Sequence, residues 1–452
     1  MNEHPALNDE HVAHDARHDG PVADQPPAAV DNPHDHRRLG RELELFGTDP
    51  LMGAGLPYWL PDGATVRHSL EEYIRSAERR AGYRHVYSPV LGKRELYEIS
   101  GHWSHYRDDM FPPMALKSAE GGMGDEVVLR PSLCPHHALI YRSRSRSYRE
   151  LPLRMAELGG MYRSEPSGVL GGLTRVRSIQ LNDAHIFCTL EQAADEAASA
   201  LALIRQAYRD LGIEAARFRL SLPDDGASGD GKYVSAPGMW ERAAALLTEV
   251  LERSGVAYEA APGEAAFYGP KIDVQIADAA GRESTLSTVQ IDFHQPERFG
   301  LHYIGADGAK HRPVMVHRSI IGSVERAVAH LIEVHGGAFP AWLAPAQVAV
   351  LPVSEGEPEE RAARELLARC EERELRAELA PAGQGSLGAR IRDARLVPYQ
   401  AVIGGREAAA GQVSVRLRDG RRLPPLPVAE FVAEVDALVR AHETRLWGDA
   451  VA

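Results

Sequence analysis

No run of about eighteen or more apolar residues occurs in the sequence, and no apolar segment follows basic residues at its N-terminus. The first absence argues against a membrane-spanning helix and the second against a secretory signal, so the expected compartment is the cytoplasm. Cysteine is scarce. Cys134, Cys188 and Cys370 are widely spaced and odd in number, which argues against a disulfide framework and fits a reducing environment. Positive charge is also in deficit: 51 Lys and Arg against 64 Asp and Glu give a formal charge of −13, unfavourable for broad attraction to nucleic acid. A local basic track can still hold RNA, and Tyr141-Arg-Ser-Arg-Ser-Arg-Ser-Tyr148-Arg149 is a candidate, with a solvated helix or turn face as the alternative. No internal repeat is visible.

What is present suffices for a sizeable core: 452 residues, 44% of them apolar, suggest two or three domains. Residues 1–36 scatter His4, His11, His14, His18, His34 and His36 among Asp, Pro and Ala without apolar periodicity, and are read as a disordered tail. Leu70, Tyr73, Ile74, Ala77 and Ala81 then recur at helical spacing, and Arg84 to Leu91 reads as a strand. Strands are expected at Leu153–Tyr162 and Thr174–Gln180 around a Gly-rich hairpin, at Val274–Ile276, at Thr288–Phe293 and at Val314–His317. Thr189 with Gln192 resembles a capping box opening a helix to about Leu211, and Val324, Ala327, Val328, Leu331 and Ile332 mark one face of another. Pro340 to Pro345 is a boundary, beyond which strands near 347–353, 375–379, 399–403 and 413–417 alternate with helical stretches near 357–373, 387–395 and 427–443. The pattern is an α+β domain with antiparallel strands followed by a small α/β module.

Motifs must supply the function. The stretch Pro152-Leu-Arg-Met-Ala-Glu-Leu-Gly-Gly-Met-Tyr-Arg163-Ser-Glu165 resembles the second signature of class II aminoacyl-tRNA synthetases. Gly322-Ser-Val-Glu-Arg326 resembles the third, and the helix and strand ending at Pro89 the first. Asn182-Asp-Ala-His185-Ile-Phe-Cys, Ala266-Phe-Tyr268-Gly-Pro-Lys271-Ile and Val314-Met-Val-His317-Arg-Ser are similar to threonyl enzymes in particular. The resemblance implies a catalytic domain over 37–343 and an anticodon-binding domain over 346–445. It also implies ATP with Mg²⁺, threonine and tRNA as partners, a homodimer built on the first motif, and neither membrane nor DNA.

Such an enzyme must gather negative oxygens and stabilise charge building on the α-phosphate, for which planar guanidinium forks are well suited. By resemblance, Arg163 holds the α-phosphate and carboxylate, Arg175 the outer phosphates, and Arg326 packs on adenine. Glu165 accepts from the adenine amino group, and Gln290 lies on the nucleotide side. Lys271 stands at the substrate end, and His102 matches a position proposed to relay the ribose proton in the transfer step. Cys134, His185 and His317, separated by 51 and 132 residues, match no local zinc motif. Each falls where the threonyl family places a ligand of one Zn²⁺ per subunit. A thiolate and two imidazoles leave a position open to substrate, which threonine can occupy through its amino group and hydroxyl and valine cannot. Asp183 would accept from the hydroxyl and Tyr268 would seat the amino group. At the C-terminal end, Arg416 is the candidate for reading a guanine edge.

Several positions depart from the family pattern. Ser132 and Leu133 precede Cys134, Ile179 replaces an aromatic partner for adenine, and Leu181, Thr285 and Leu286 alter pocket walls while the three metal ligands stay. Two further readings therefore stand beside threonine charging: a specialised paralogue, either inhibitor-resistant or activating another β-hydroxy or β-amino acid, and a non-catalytic tRNA-binding regulator. Retention of Arg163, Arg175 and Arg326 argues against the regulator, because a binding module needs no phosphate clamp. No editing domain is expected from thirty-six tail residues. One missing methyl is worth only roughly 1–3 kcal/mol, so mischarged serine is expected to escape correction within this chain.

Overall fold

The computed structural model describes residues 33–117, 123–224, 233–234, 236–278 and 280–448. Of the expected tail, residues 1–32 lie outside the described residues. The remaining part differs from expectation: the Asp35 carboxylate accepts from Arg37 N and caps a helix, His36–Glu42. His36 is buried because both ring nitrogens find partners, Nδ1 at 2.7 Å from Glu333 Oε1 and Nε2 accepting from Leu173 N at 3.2 Å.

The helix Pro61–Arg80 begins with proline in its first turn and Asp62 nearby, and ends on Arg79 and Arg80, each favourable for the terminus it occupies. Its Val66, Leu70, Tyr73, Ile74 and Ala77 are buried at three- and four-residue spacing. They pack with the helices Ala193–Leu211, Pro237–Arg253 and Val324–His335 on one face of an eight-stranded sheet. The strand order is Tyr258–Pro262, Arg217–Leu222, Lys271–Ala277, Glu283–Asp292, Val314–Ser319, Ser178–Cys188, Leu153–Tyr162 and Arg84–His85. The six inner strands pair antiparallel, and each edge strand joins in parallel.

Register decides which residues meet, since directly paired residues project to the same side of a sheet. Met155, His185, His317, Gln290, Lys271 and Ser221 form one row across six strands. Glu157 and Asp183 pair in the next row, which Ser319, Thr288, Asp273 and Arg219 continue. The alternate positions, among them Ala156, Ala184, Val316, Val289, Ile272 and Leu220, turn toward the helices and join the core. Each such aliphatic side chain contributes about 1.5–3 kcal/mol when fully buried, so the register is strongly held.

A three-stranded antiparallel sheet, Leu91–Lys93, Met123–Leu129 and Met114–Lys117, stands apart from the large one. Toward the C-terminus a five-stranded sheet runs Ala377–Leu379, Val348–Pro352, Tyr399–Ile403, Gln412–Leu417 and Leu426–Pro427, around its own core of Leu366, Tyr399, Val415 and Phe431. Arg376 ties this module to the preceding segment by donating to Ala344 O at 3.0 Å and Trp342 O at 2.8 Å.

Local expectations shift in four places. The strand expected over 84–91 is only Arg84–His85, because the chain leaves the edge of the large sheet there and pairs again at Leu91 in the small one. The strand expected at Thr174–Gln180 is Ser178–Cys188, so Asn182-Asp-Ala-His185 lies within a central strand. Only half of the capping box forms: Thr189 N donates to Gln192 Oε1 at 2.9 Å, and the helix starts later, at Ala193, with Gln192 at its N-cap position making no side-chain capping bond. The basic track is largely spent on internal bonds, with Arg144 held by Glu150 and a buried Arg146 donating to Tyr141 O and Ile140 O.

Candidate active site

Above the polar face of the large sheet lies a cavity of about 930 Å³. Its lining gathers His102, Arg163, Glu165, Arg175, Asp183, Tyr268, Lys271, Gln290, His317 and Arg326. Two glycines make the walls possible. A Cβ on Gly159 would come within 2.4 Å of Leu133 and 2.8 Å of the Arg130 guanidinium. Gly322, at φ +61°, turns the chain into the helix carrying Arg326, and a Cβ there would meet Leu286 O at 2.4 Å.

Cys134, His185 and His317 bring one ligand atom each to within 4.8 Å of one another, and all three residues are buried. His185 Nε2 has no hydrogen-bond partner although it is buried, which is costly unless something else engages it. His185 Nδ1 is taken by His137 Nδ1 at 2.7 Å, and His317 Nε2 by Asp292 Oδ2 at 2.8 Å. Burial drives the His185 pKa well below its ordinary value and the Cys134 thiol far above its own. The imidazole is therefore neutral with a lone pair to offer, while the thiol gives up its proton only to a strong cation. Sulfur with two imidazoles is a donor set that suits zinc, and the orphaned Nε2 fits such an occupant. Around the sulfur, Gln295 Nε2 approaches to 3.2 Å and Ser132 Oγ to 3.0 Å.

Asp183 adjoins this cluster, with Oδ2 at 3.8 Å from His185 Nε2; burial pushes its pKa up to about 6 against the pull of His137 and His317. The Tyr268 ring lies 5.2 Å from that of His317. His102 Nε2 is 3.8 Å from the Cys134 sulfur and Nδ1 is 2.9 Å from Ser100 Oγ; burial holds its pKa down to about 3. Lys271 Nζ contacts Asp273, which also accepts from Ser221 Oγ at 2.7 Å. Gln290 donates to Gly269 O at 2.8 Å.

The lining also carries a cationic group. Arg163 has a buried Nε without a partner, and its guanidinium sits 5.3 Å from the centre of the Tyr106 ring. Arg326 is locked by Thr285 O at 2.7 Å and Thr174 O at 3.1 Å, and its pKa is lowered by burial and then by Arg163 and Arg175. Arg175 and Glu165, given separate tasks above, close on each other at 2.7 Å. Leu181, Thr285, Leu286 and Ser132 line the cavity, whereas Leu133 is buried beneath it. Arg416 sits half-buried on the C-terminal sheet, paired with Gln400 and away from this cavity.

Sequence reasoning missed His137, Glu157, Asp292 and Gln295 beside the cluster. Only Glu157 left a signal in the sequence, as a charge set between Ala156 and Leu158 in a strand, where a carboxylate is buried only with partners.

Residues 118–335 match the family model described as the tRNA synthetase class II core domain (G, H, P, S and T), and residues 347–438 match the anticodon binding domain. A threonine–tRNA ligase of Geobacillus kaustophilus is 49% identical over 416 residues, covering 91% of this chain and 62% of that protein. One from Levilactobacillus brevis is 48% identical over 410 residues, covering 90% and 62% respectively. The chain thus spans about 62% of the length of the curated relatives it matches. Among solved structures, the RNA binding domain of threonyl-tRNA synthetase from Cryptosporidium parvum superposes with a TM-score of 0.82 at 33% identity, over 92% of this chain and 100% of that one.

Proposed function

The chain belongs to the threonyl-tRNA synthetase family of class II synthetases, and from that premise we propose that it activates threonine with ATP and transfers it to tRNA. The observation that carries the reading is a buried Cys134–His185–His317 cluster that reaches the cavity through His317, with Asp183 beside it, and an arginine group, Arg163, Arg175 and Arg326, in the lining of the same cavity. Amino-acid selection and phosphate chemistry require both groups together.

Cys134, His185 and His317 would hold one zinc ion per subunit, which when bound supplies a Lewis-acid position for the amino group and hydroxyl of threonine. Asp183 accepts a hydrogen bond from that hydroxyl, and Tyr268 closes over the amino group. Arg163, with a fork that no carboxylate among the described residues occupies, takes the α-phosphate and the attacking carboxylate. Arg326 presents a fixed guanidinium to the nucleotide, which enters with Mg²⁺. Arg175 must leave Glu165 to reach the outer phosphates, freeing Glu165 to accept from the adenine amino group. Gln290 and Lys271 continue the polar row of His317, Gln290 on the adjacent strand and Lys271 one strand further. For the transfer step His102 is a neutral acceptor for a ribose hydroxyl proton.

A homodimer is supported by exposed apolar side chains around the small sheet among the described residues: Tyr87, 81% exposed, with Val90, Leu91, Met114 and Leu116. Arg416 and the module around it would read the tRNA anticodon.

ATP–pyrophosphate exchange over a panel of amino acids, followed by charging of total tRNA, tests the reading. Threonine should support both, with valine rejected by at least about 10⁴-fold because a polar contact is lost. Exchange with no threonine dependence would overturn it. A second reading, activation of a different β-hydroxy or β-amino acid, is favoured by Leu181, Thr285 and Leu286 on the cavity wall. Preferred exchange with such an acid over threonine would select it.

A further inference from the structure

A metal ligand is only as good as the tautomer it is held in, and imidazole has two. His185 has to expose Nε2 as a lone pair toward Cys134 and His317, which requires its proton on Nδ1. We propose that a buried chain, Glu157 to His137 to His185, sets that tautomer and orientation, making His137 and Glu157 positioning residues for the metal site. The inference rests on the zinc reading above and extends it to residues outside the ligand set.

The geometry runs in one direction. Glu157 is fixed on the sheet by four donors: Arg130 Nη2 at 3.0 Å and Ser88 N at 3.2 Å on Oε1, Ser88 Oγ at 2.6 Å and His137 Nε2 at 3.2 Å on Oε2. A carboxylate only accepts, so the proton of this last bond lies on His137 Nε2. With the His137 ring in its neutral form, Nδ1 is the acceptor of the 2.7 Å bond to His185 Nδ1, and His185 donates. Nε2 of His185 is left with its lone pair, buried and without a hydrogen-bond partner among the described residues.

The placement is built into the fold. Met155 pairs with His185 and Glu157 with Asp183, so Glu157 stands on the same sheet face as the ligand, one row away. His137 arrives from the helix Cys134–Arg142, less than one turn after the ligand Cys134, and its side chain is fully buried. The rings of His137 and His185 meet edge to face, 4.7 Å between centres. One short helix therefore delivers a ligand and the support of a second ligand.

The test compares His137→Leu, which fills the space without nitrogen, with His137→Gln, which can donate to Glu157 and accept from His185. Zinc affinity is measured by competition with a chromogenic chelator, and the visible spectrum of the cobalt-substituted protein reports the ligand field. His137→Leu should bind zinc about 10–100-fold more weakly and shift the cobalt bands, whereas His137→Gln should stay within about threefold of the unaltered protein. Equal affinities for the two variants would overturn the relay. Should His137→Leu fail to fold, ¹⁵N-histidine spectra of the unaltered, metal-free protein decide the matter: a Nδ1–H tautomer at His185 supports the relay and a Nε2–H tautomer refutes it. A chain that takes up no zinc at all overturns the metal reading, and the relay with it; zinc uptake that is indifferent to residue 137 overturns the relay alone.

Discussion

Arg163→Ala separates what an arginine does for the reaction from what it does for the fold. In the structure the guanidinium has no carboxylate partner among the described residues, leaves Nε unpaired, and shares the cavity with Arg326, whose pKa it helps to lower. Removal forfeits the contact with Tyr106, worth about 0.5–2 kcal/mol, and relieves repulsion from Arg326, so stability should change by no more than about 1 kcal/mol. Activation should suffer far more. A preorganised donor aimed at developing charge contributes about 2.7–4 kcal/mol, so threonine-dependent pyrophosphate exchange should fall about 10²–10³-fold. Arg163→Lys keeps the charge without the fork and should fall in between. Exchange measured beside urea unfolding gives both numbers. A loss below tenfold, or a fold weakened by several kcal/mol, would refute the idea that this side chain is held in reserve for an anion.

Glu78→Gln addresses the helix side of the sheet, where Glu78 accepts from Arg318 at 2.7 Å, Asn182 at 2.8 Å and His85 at 2.7 Å. It should cost about 3–5 kcal/mol in urea unfolding at pH 7, because Arg318 keeps a buried charge without its counter-ion. Burial alone raises the Glu78 pKa, but Arg318, His85 and Asn182 bring it below the ordinary 4.5. Its contribution is therefore complete above that pH and fades below it, so the gap between variant and unaltered protein should close on acidification. Leu116→Glu should shift the sedimentation coefficient toward that of a monomer if the small sheet is a subunit interface; an unchanged value would relocate the interface. Arg416→Ala should raise the KM for tRNA in charging, by roughly 1–3 kcal/mol, and leave pyrophosphate exchange unchanged. A parallel loss in exchange would show damage to the fold instead.

The helix Pro61–Arg80 was legible because one apolar face repeats at a fixed period, and the strand Leu153–Tyr162, buried in succession over residues 155–159, because turn residues follow it. The small sheet was not: Leu91–Lys93 and Met114–Lys117 are exposed or half-buried throughout, so neither strand alternates. The strand Ser178–Cys188 was misplaced for the opposite reason, since its second half is buried on both faces and carries no period of two. The metal cluster could not be derived from spacing, and the resemblance to a family supplied it. Physically it depends on His185 pairing with His317 across adjacent strands, a contact between residues 132 positions apart that periodicity cannot announce. The pairing of Arg175 with Glu165 was hidden for a simpler reason, because residues around a hairpin choose partners in three dimensions.

The row that crosses six strands makes the molecule tolerant of change in one direction and brittle in another. Length added in the loops joining those strands leaves every side chain on its own side, so long excursions can be grafted or trimmed there while the chemistry survives. Deleting a single residue inside Ser178–Cys188 or Val314–Ser319 would instead send the following side chains through the sheet, exchanging histidines for valines and alanines. Variation in this architecture should accordingly accumulate as loop insertions, with strand interiors kept to the residue.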